Sequence, residues 1–414
     1  MAGPGIRYFE MAKVFSQHFE TTLFVPDSCD FKSDDFQIIT YNSAKSSSSI
    51  AKKLGNCDYV IAQNLRPTLI KFIKQNKIRY ISDQYDPLLI EILEYTKGDS
   101  QQLKQNTSKF IYHLTMLQFF TADHVLCASE IQKSFYLGLM SGNQLISPNE
   151  YKNDPGLNNF MSLLPFGISQ DKPIYTNPNQ MEEKFPQIKP DDKIIYWGGG
   201  VWNWFDALSA VKAIEIISKK RSDIKLFFLG TRPPNPKIKE MAMVGRTVDY
   251  CRQHNLLDKF VFFNFGWTPY EERVNYLLRS SVGISTHFSS LETRFSFRTR
   301  VLDYFWAELP MVLTKGDYMA DLTQKHNLGL VVDYQDSTAI AAAIEKIIDH
   351  PDTYKIMKAN IVEFKKQFLW EQSAKELIEK VKSDKIVFHP ISPSKFQALQ
   401  FNFYYWGFRK KFFK

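Results

Sequence analysis

The chain has 414 residues, more than one ordinary hydrophobic core accommodates, and this length suits two α/β domains of roughly 170–200 residues each. Apolar residues make up 44% and charged residues 23% of the chain, so the composition excludes a disordered protein. The net charge of +8 favours anionic partners, but no zinc-finger spacing or RNA-binding aromatic signature occurs, and nucleic acid is not expected.

Cysteine usage and hydropathy indicate where the protein works. Cys29, Cys57, Cys127 and Cys251 are far apart and form no CxxC pair, which is typical of core thiols in a reducing compartment. No signal peptide precedes the first helical pattern, and no run approaches the roughly 18 apolar residues of a membrane span. We therefore expect a cytoplasmic protein, with binding to the inner face of the plasma membrane left open.

The first half of the chain alternates short apolar runs with helical patterns. It opens with Gly3-Pro4-Gly5-Ile6-Arg7, which resembles a strand-to-helix glycine turn before a helix over Tyr8–His18, and the strand that would feed this turn is missing. The runs that follow lack polar alternation, as strands of a parallel sheet covered on both faces do. They are Thr22–Val25, Tyr59–Ala62, Ile78–Ser82 and Val125–Ala128, with helices predicted at Leu65–Lys74, Pro87–Tyr95, Phe110–Phe120 and Glu130–Leu139.

Residues 141–191 break this rhythm, because they are rich in Asn, Pro, Ser and Asp, and we place a linker near residues 170–190. A second series of strands and helices then runs from Lys193 to residue 375, with a strand predicted at Val282–Ser285 and a helix at Thr299–Ala307. The sequence thus predicts two tandem Rossmann-like domains, residues 1–175 and 190–375, facing across a cleft, and a tail over residues 376–414.

Two segments of the second domain carry the chemistry. A strand runs into Gly198-Gly199-Gly200, where a phosphate or sugar can approach backbone N–H groups closely. The strand at Val282–Ser285 runs into a polar loop that holds Glu292, Arg294 and Arg298. A helix with Arg300 and Asp303 follows. Arginines that neutralise phosphate beside carboxylates that accept from hydroxyls suit a nucleotide diphosphate sugar.

This stretch resembles the acid-bearing loop and helix of the retaining glycosyltransferases of family 4, whose pattern is E-x7-E followed by Ala-x-Gly-x-Pro. Alignment on Pro310 places Asp303 at the second acid, which in the family holds the ribose. Strict spacing requires the first acid at Phe295, whereas the carboxylate present is Glu292, which the resemblance assigns to the donor sugar. Glu308 stands where the family usually has Gly.

Other motifs carry the same resemblance over almost the whole chain. They are Ser129-Glu130 as a strand-to-helix turn, Pro165-Phe166-Gly167-Ile168 as a hinge strand, Phe265-Gly266-Trp267 beside the base, and the loop with Gly3, Gly5 and Arg7 on the acceptor side. The resemblance implies a GT-B fold, a nucleotide sugar as co-substrate, retention of anomeric configuration and no metal. The HxxxH, DxD-type and CxxC patterns of a dedicated metal site are also absent.

The chain departs from the family in the glycine turn, which lacks the usual Arg and Lys that bind the diphosphate. Residues 200–206 read Gly-Val-Trp-Asn-Trp-Phe-Asp. The charge must come from elsewhere, and the candidates are Arg232, Arg294, Arg298 and Arg300, with Arg298 and Arg294 favoured. Gly199, Gly200 and Trp267 complete the expected donor site, and Trp202 and Trp204 are candidates for stacking or for core packing.

On the acceptor side, Asp83 and Asp86 follow a strand in the first domain, where related enzymes often have His. Either carboxylate is a candidate acceptor contact, while helix capping also accounts for Asp86. The tail from Ser394 to Lys414 has nine aromatics, five Lys or Arg and no acid. This composition is typical of an interfacial membrane segment, and packing against the first domain is the alternative.

The sequence therefore predicts a glycosyltransferase that moves a sugar from a nucleotide donor to a lipid-linked envelope polysaccharide. Two alternatives remain open. One is a catalytically idle GT-B subunit that binds a partner enzyme, and the other is a sugar-nucleotide epimerase.

Overall fold

The computed structural model describes residues 3–29, 31–42, 46–55, 57–231 and 241–386. The chain divides into two compact units. The N-terminal unit consists of residues 6–165 and 373–386, and the C-terminal unit consists of residues 3–5 and 166–372. The boundary between the two units lies between Pro165 and Phe166, within the Pro165–Ile168 motif. It precedes the linker predicted near residues 170–190.

The strands of the N-terminal unit form two separate parallel sheets. β1 (Thr22–Pro26) pairs with β2 (Gln37–Tyr41), and the other sheet has the order β3 (Tyr59–Ala62), β4 (Arg79–Asp83), β5 (His124–Cys127), β6 (Met161–Leu163). The helices are α1 (Gly3–Ser16), α2 (Ser46–Leu54), α3 (Pro67–Gln75), α4 (Leu88–Tyr95), α5 (Gln101–Thr121), α6 (Glu130–Gly142) and α7 (Pro148–Asn153).

The start of helix α1 differs from the sequence prediction. Gly3, Pro4 and Gly5 form the first turn of α1 instead of a glycine turn before it. Proline is tolerated in a first helical turn because its missing N–H has no intrahelical partner there. A strand that precedes α1 is not among the described residues and stays a prediction.

The C-terminal unit is built on one six-stranded parallel sheet. Its strands are β7 (Lys193–Trp197), β8 (Ile224–Phe228), β9 (Val261–Phe263), β10 (Val282–Ser285), β11 (Met311–Thr314) and β12 (Gly329–Val332). Its helices are α8 (Gln180–Lys184), α9 (Ala207–Ser218), α10 (Ala242–Gln253), α11 (Arg273–Arg279), α12 (Leu291–Phe295), α13 (Arg300–Trp306), α14 (Tyr318–Lys325), α15 (Ser337–Asp349) and α16 (Pro351–Phe364), with 3₁₀ turns at Tyr270–Glu272 and Lys365–Phe368.

The core of this unit explains its strand pattern. Residues 194–197 of β7 and all of β8 are buried, because helices cover both faces of the sheet. The helix α9 buries Ala207, Ala210, Val211, Ile214 and Ile217, a spacing that places one apolar face against the sheet. Its first turn is capped by Asp206, whose Oδ1 accepts from the N–H of Ser209 at 3.1 Å.

The strand order of this sheet fixes where a ligand can bind. The order is β12-β11-β10-β7-β8-β9, so the chain reverses its direction of travel across the sheet between β7 and β10. In open parallel sheets, ligands bind at the carboxyl ends of the strands at such a switch point. The glycine turn follows β7 and the acid-bearing loop follows β10, so both predicted segments meet there.

The last described helix, α17 (Trp370–Lys382), passes from the C-terminal unit to the N-terminal unit at Ser373. Two of its side chains bind Ser162 of β6: Ser162 Oγ donates to Glu376 Oε1 at 2.7 Å and accepts from Lys380 Nζ at 2.6 Å. Beyond the helix, Asp384 pairs with Arg79 of β4 at 2.9 Å. These contacts fasten the second segment of the N-terminal unit to its sheet.

Within the described part of the chain, no helix combines the length and the apolar composition needed to cross a membrane. The predicted interfacial tail, residues 394–414, lies outside the described residues, so its contact with a membrane or with the first domain stays a prediction. All four cysteines are free, and Cys127 and Cys251 are buried.

Candidate functional site

The glycine turn after β7 needs glycine at its centre. Gly199 has φ of +72°, and an added Cβ there would meet no atom within 4 Å, so the turn is open on that side. The N–H of Gly198 donates to Tyr304 Oη at 3.2 Å, which fixes the start of the turn against α13. The turn therefore presents backbone to the carboxyl edge of the sheet without a side chain in the way.

The aromatic residues after the turn divide into core and surface. Trp204 is buried, whereas Trp202 is half-buried and stacks on Trp204 with ring centroids 5.3 Å apart. The sequence left core packing and ligand stacking open for both. The structure places Trp204 in the core, whereas Trp202 stays half-buried beside the glycine turn.

Arg300, the first residue of α13, reaches back to this turn. Its Nη2 donates to the carbonyl of Gly200 at 2.8 Å, and its guanidinium carbon lies 4.1 Å from the ring centroid of Phe205 and 4.9 Å from that of Trp197. Its Nη1 is enclosed and has no hydrogen-bond partner within the described protein. Burial lowers the pKa of Arg300 to about 10, so the side chain stays a cation at neutral pH.

Glu292 and Arg298, the two predicted catalytic residues of this unit, bind each other. Arg298 Nη1 and Nη2 donate to Glu292 Oε1 and Oε2 at 2.8 and 2.7 Å, and both side chains are 5% exposed. Ser296 Oγ also donates to Glu292 Oε1 at 2.8 Å. The sequence expected the carboxylate on the sugar and the guanidinium on the diphosphate, whereas the structure closes them into a buried bidentate pair.

Two further buried groups join this pair. Asp317 Oδ2 lies 3.6 Å from Arg298 Nε and 3.5 Å from His287 Nε2. Burial raises the pKa of Asp317 to about 6, against the opposing effect of Arg298. Burial and the Arg298 charge lower the pKa of His287 well below its ordinary value, so its ring is neutral. Asp317 was not predicted as a site residue, because the sequence shows only that it is a polar residue after β11.

Asp303, predicted to hold the ribose, lies on α13 and is paired with Arg273. The distance from Arg273 Nε to Asp303 Oδ1 is 3.2 Å, and 29% of the Asp303 side chain is exposed. Arg273 packs against the rings of Tyr270 and Trp306 at 3.5 and 4.9 Å. Sequence reasoning missed Arg273, because it is 30 residues from Asp303 and no spacing rule connects them.

The remaining predicted donor residues are more exposed or lie outside the described chain. Arg294 is exposed on α12, and Arg232 is not among the described residues. Trp267 is 40% exposed and Phe265 is 44% exposed on the loop after β9. Buried Asn264 holds this loop, since its Nδ2 donates to Leu229 O at 2.8 Å and Thr268 Oγ1 at 2.7 Å. A fixed loop with exposed aromatic faces can stack on a planar base.

Glu308, which stands where the related pattern has glycine, adopts a glycine-like conformation. Its φ is +56°, in the left-handed region, directly after α13 ends. Its carboxylate binds Lys365 Nζ at 3.0 Å and lies 3.7 Å from Lys358 Nζ. The backbone geometry of the pattern is thus kept although the residue is changed.

In the N-terminal unit, the predicted acceptor residues Arg7 and Asp83 also bind each other. Arg7 Nε and Nη2 donate to Asp83 Oδ2 and Oδ1 at 2.7 and 2.8 Å, and both side chains are fully buried. Arg7 Nη2 also donates to Leu164 O at 2.9 Å. At the end of β4, the negative charge of Asp83 is therefore balanced by Arg7.

Asp86 was a candidate for helix capping, and Ser129 stands in a predicted strand-to-helix turn. The N-cap residue of α4 is Pro87, which forms no side-chain cap, so Asp86 does not occupy the predicted N-cap position. Its carbonyl accepts from Tyr136 Oη at 3.1 Å. Ser129 does cap α6, through a 3.3 Å bond from the N–H of Gln132.

Within the residues described, no three His, Cys, Asp or Glu side chains are grouped so that they could hold a metal ion.

Comparison with known proteins agrees with this arrangement. Residues 191–350 match the family model described as glycosyl transferases group 1. No curated protein sequence matches the chain significantly.

Among solved structures, HepE of Anabaena in complex with UDP and glucose is 11% identical with a TM-score of 0.65, over 92% of this chain and 97% of that one. WaaG, a glycosyltransferase involved in lipopolysaccharide biosynthesis, is 12% identical with a TM-score of 0.62, over 92% and 96%. The sucrose-phosphate synthase of Thermosynechococcus elongatus is 15% identical with a TM-score of 0.62, over 92% and 93%. Residues 191–350 are therefore similar to the group 1 glycosyl transferases, and the chain has the fold of the GT-B glycosyltransferases.

Proposed function

We propose that this protein transfers a glycosyl group from a nucleotide diphosphate sugar, bound at the carboxyl edge of the C-terminal sheet, to a carbohydrate acceptor. One observation carries the proposal. Five enclosed polar atoms at the switch point have no hydrogen-bond partner within the described protein: Tyr196 Oη, Asp206 Oδ2, Ser285 Oγ, His287 Nδ1 and Arg300 Nη1. Buried polar groups are nearly always paired, and each unpaired one costs about 1–3 kcal/mol. Such a group of atoms suits a polar ligand.

Other groups at the carboxyl edge of the sheet match the phosphates, the base and the ribose of that donor. The open glycine turn admits phosphate to backbone N–H groups, and the exposed rings of Trp267 and Phe265 offer a face to the base. Asp303 keeps part of its carboxylate exposed for ribose hydroxyls. UDP and glucose in the HepE structure support a nucleotide sugar as the ligand of this fold.

The reaction needs stabilisation of a leaving diphosphate. The bond from the anomeric carbon to the diphosphate oxygen breaks, and the diphosphate keeps the electron pair. The acceptor oxygen bonds to the anomeric carbon, and its hydroxyl proton passes to an oxygen of the departing diphosphate. Fixed cations and backbone N–H groups aimed at the diphosphate lower the barrier, because they are oriented before charge develops. Retention of configuration rests on the resemblance to family 4.

For the acceptor, we propose a lipid-linked envelope polysaccharide at the cytoplasmic face of the membrane. The basic and aromatic composition of residues 394–414 supports membrane contact. The role of WaaG in lipopolysaccharide biosynthesis supports an envelope glycan. Acceptor-side contacts are expected near Arg7, Asp83 and Asp86.

The test combines donor binding with turnover. Thermal unfolding of the purified full chain is followed with UDP-, GDP- and ADP-sugars, and release of the nucleoside diphosphate is then measured with candidate acceptors. A raised midpoint with one donor, and acceptor-dependent release, would support the proposal. A folded chain whose midpoint no donor moves would refute it.

A second function, donor binding without transfer by a partner-binding subunit, is favoured by one observation. Glu292 and Asp83, the acids expected to act in the two units, are both held in buried pairs with arginine. A carboxylate held in such a pair must give up two hydrogen bonds from arginine before it can act on a substrate. Donor binding with no turnover on any acceptor would favour this alternative.

A further inference from the structure

The glycine turn lacks its own basic residues, so the diphosphate of the proposed donor needs a cation from another element. Among the described residues, the loops and helix starts at the carboxyl edge carry five cationic side chains. They are Arg273, Arg294, Arg298, Arg300 and Lys315.

Three of these five are already bound to carboxylates. Arg298 is committed to Glu292 by two hydrogen bonds, and Arg273 is paired with Asp303. Lys315 is paired with Asp333. A cation in a carboxylate pair must break that pair before it can bind phosphate, which costs much of the binding free energy gained.

Arg294 and Arg300 form no ion pair with a described carboxylate, but they differ in placement. Arg294 is exposed on the five-residue helix α12, so its charge is hydrated and its side chain free to move. Arg300 is held by the Gly200 carbonyl and by the faces of Phe205 and Trp197. Its orientation is fixed beside the glycine turn.

We propose that Arg300 binds the diphosphate of the donor nucleotide, in place of the basic pair that the glycine turn lacks. This inference rests on the proposed function. The enclosed Nη1, without a protein partner, is the N–H group available to a phosphate oxygen. The same contact would stabilise the leaving diphosphate during transfer, since a preoriented guanidinium needs no reorganisation. Arg298 then acts as a positioning residue for Glu292.

This role has a consequence for the protein without ligand. A partly buried cation with no carboxylate partner is desolvated without full compensation, and the two aromatic rings return only part of that cost. Burial accordingly lowers the pKa of Arg300. Replacement by a neutral side chain of similar length is expected to leave the unliganded melting temperature unchanged or to raise it. An arginine with a purely structural role would behave in the opposite way.

The experiment measures binding of UDP, GDP and ADP, and of the matching nucleosides, by calorimetry. The proteins are the full chain, Arg300→Gln, Arg300→Lys and Arg294→Gln, which tests the competing candidate for the diphosphate. Because charge-assisted hydrogen bonds are lost, Arg300→Gln is expected to weaken binding of the preferred diphosphate about 10–100-fold. Nucleoside binding should change less than about twofold, since the nucleoside has no phosphate. Arg300→Lys should fall between, because lysine keeps the charge but not the planar fork.

The outcomes separate this inference from the proposed function. Diphosphate binding equal in wild type and Arg300→Gln, or a larger loss in Arg294→Gln, would overturn the role of Arg300 while the donor site stands. A lower unliganded melting temperature in both Arg300 variants, with diphosphate and nucleoside binding weakened alike, would show a structural role instead. A wild type that binds none of the three diphosphates would overturn the proposed function and the role of Arg300 with it.

Discussion

The buried pair of Glu292 and Arg298 gives a quantitative test of whether Glu292 supports the fold or is free for a sugar. Glu292→Ala removes two charge-assisted hydrogen bonds from Arg298 and one from Ser296, and it leaves the guanidinium buried. Breaking such a pair by removing one partner costs about 3–5 kcal/mol. The Asp317 carboxylate, 3.6 Å from Arg298 Nε, offsets part of this loss, so we expect about 3 kcal/mol.

Urea unfolding followed by tryptophan fluorescence measures this change in the right part of the molecule. Six of the seven tryptophans lie between Trp197 and Trp370, within the C-terminal unit, so the signal reports mainly on that unit. The matched control is Glu308→Gln, because Glu308 is a partly exposed carboxylate with lysine partners. It should cost no more than about 1 kcal/mol.

A double-mutant cycle completes the test. In Glu292→Gln with Arg298→Met, both charges are removed, and the combined loss should be smaller than the sum of the single losses by about 2 kcal/mol or more. If Glu292→Ala leaves unfolding unchanged but weakens donor binding, Glu292 is free in solution and the pair is not structural. That result would refute the structural role inferred from burial and would support the predicted contact of Glu292 with the donor sugar.

Three further predictions follow from other residues. Glu308→Gly should leave the free energy of unfolding within about 1 kcal/mol of wild type, because relief of the positive φ offsets the lost lysine pairs, and a loss above about 2 kcal/mol would contradict this. For Asp317, the folded pKa of about 6 exceeds the ordinary 3.8, so folding favours the protonated carboxyl. The resulting stabilisation is complete below about pH 4 and is lost as pH rises through 6. Asp317→Asn keeps the hydrogen bond from the Ala320 N–H, and its free energy of unfolding relative to wild type should rise by on the order of 2–3 kcal/mol from pH 4 to pH 7. Urea midpoints measure this change, and a difference that does not vary with pH would exclude the raised pKa. Asp303→Ala should raise the donor KM about 10-fold or more, because ribose hydroxyls lose a charged acceptor, and unchanged donor kinetics would refute the ribose assignment.

Much of the C-terminal sheet could be predicted from the sequence, because its strands are buried on both faces. The bounds predicted for the strand Val282–Ser285 are those of β10. The strand Gln37–Tyr41 was missed, since none of its residues is buried and among the described strands it pairs only with β1. The short helix Leu291–Phe295 was predicted as loop, because five residues give no helical period.

The candidate site shows a different limit. Residue types, their order and their place at strand ends identified Glu292, Arg298, Arg300 and Asp303 as a group. Which arginine binds which carboxylate depends on side-chain conformation and burial, and no spacing rule contains that information. The favoured diphosphate ligand, Arg298, is held by Glu292, while Arg300 is held by a backbone carbonyl.

The division of the N-terminal unit into two chain segments has a consequence for biosynthesis. Residues 6–165 leave the ribosome first, but the helix that binds Ser162 and the residue that pairs with Arg79 come after roughly 200 residues of the other unit. At the usual rates of translation this interval lasts about 10–40 s. During that time the edge formed by β6 lacks its covering helix and is a surface for chaperones or for wrong pairing. The C-terminal unit is nearly continuous in sequence and can complete its fold first. The N-terminal unit can complete its fold only after residues 373–386 have been synthesised.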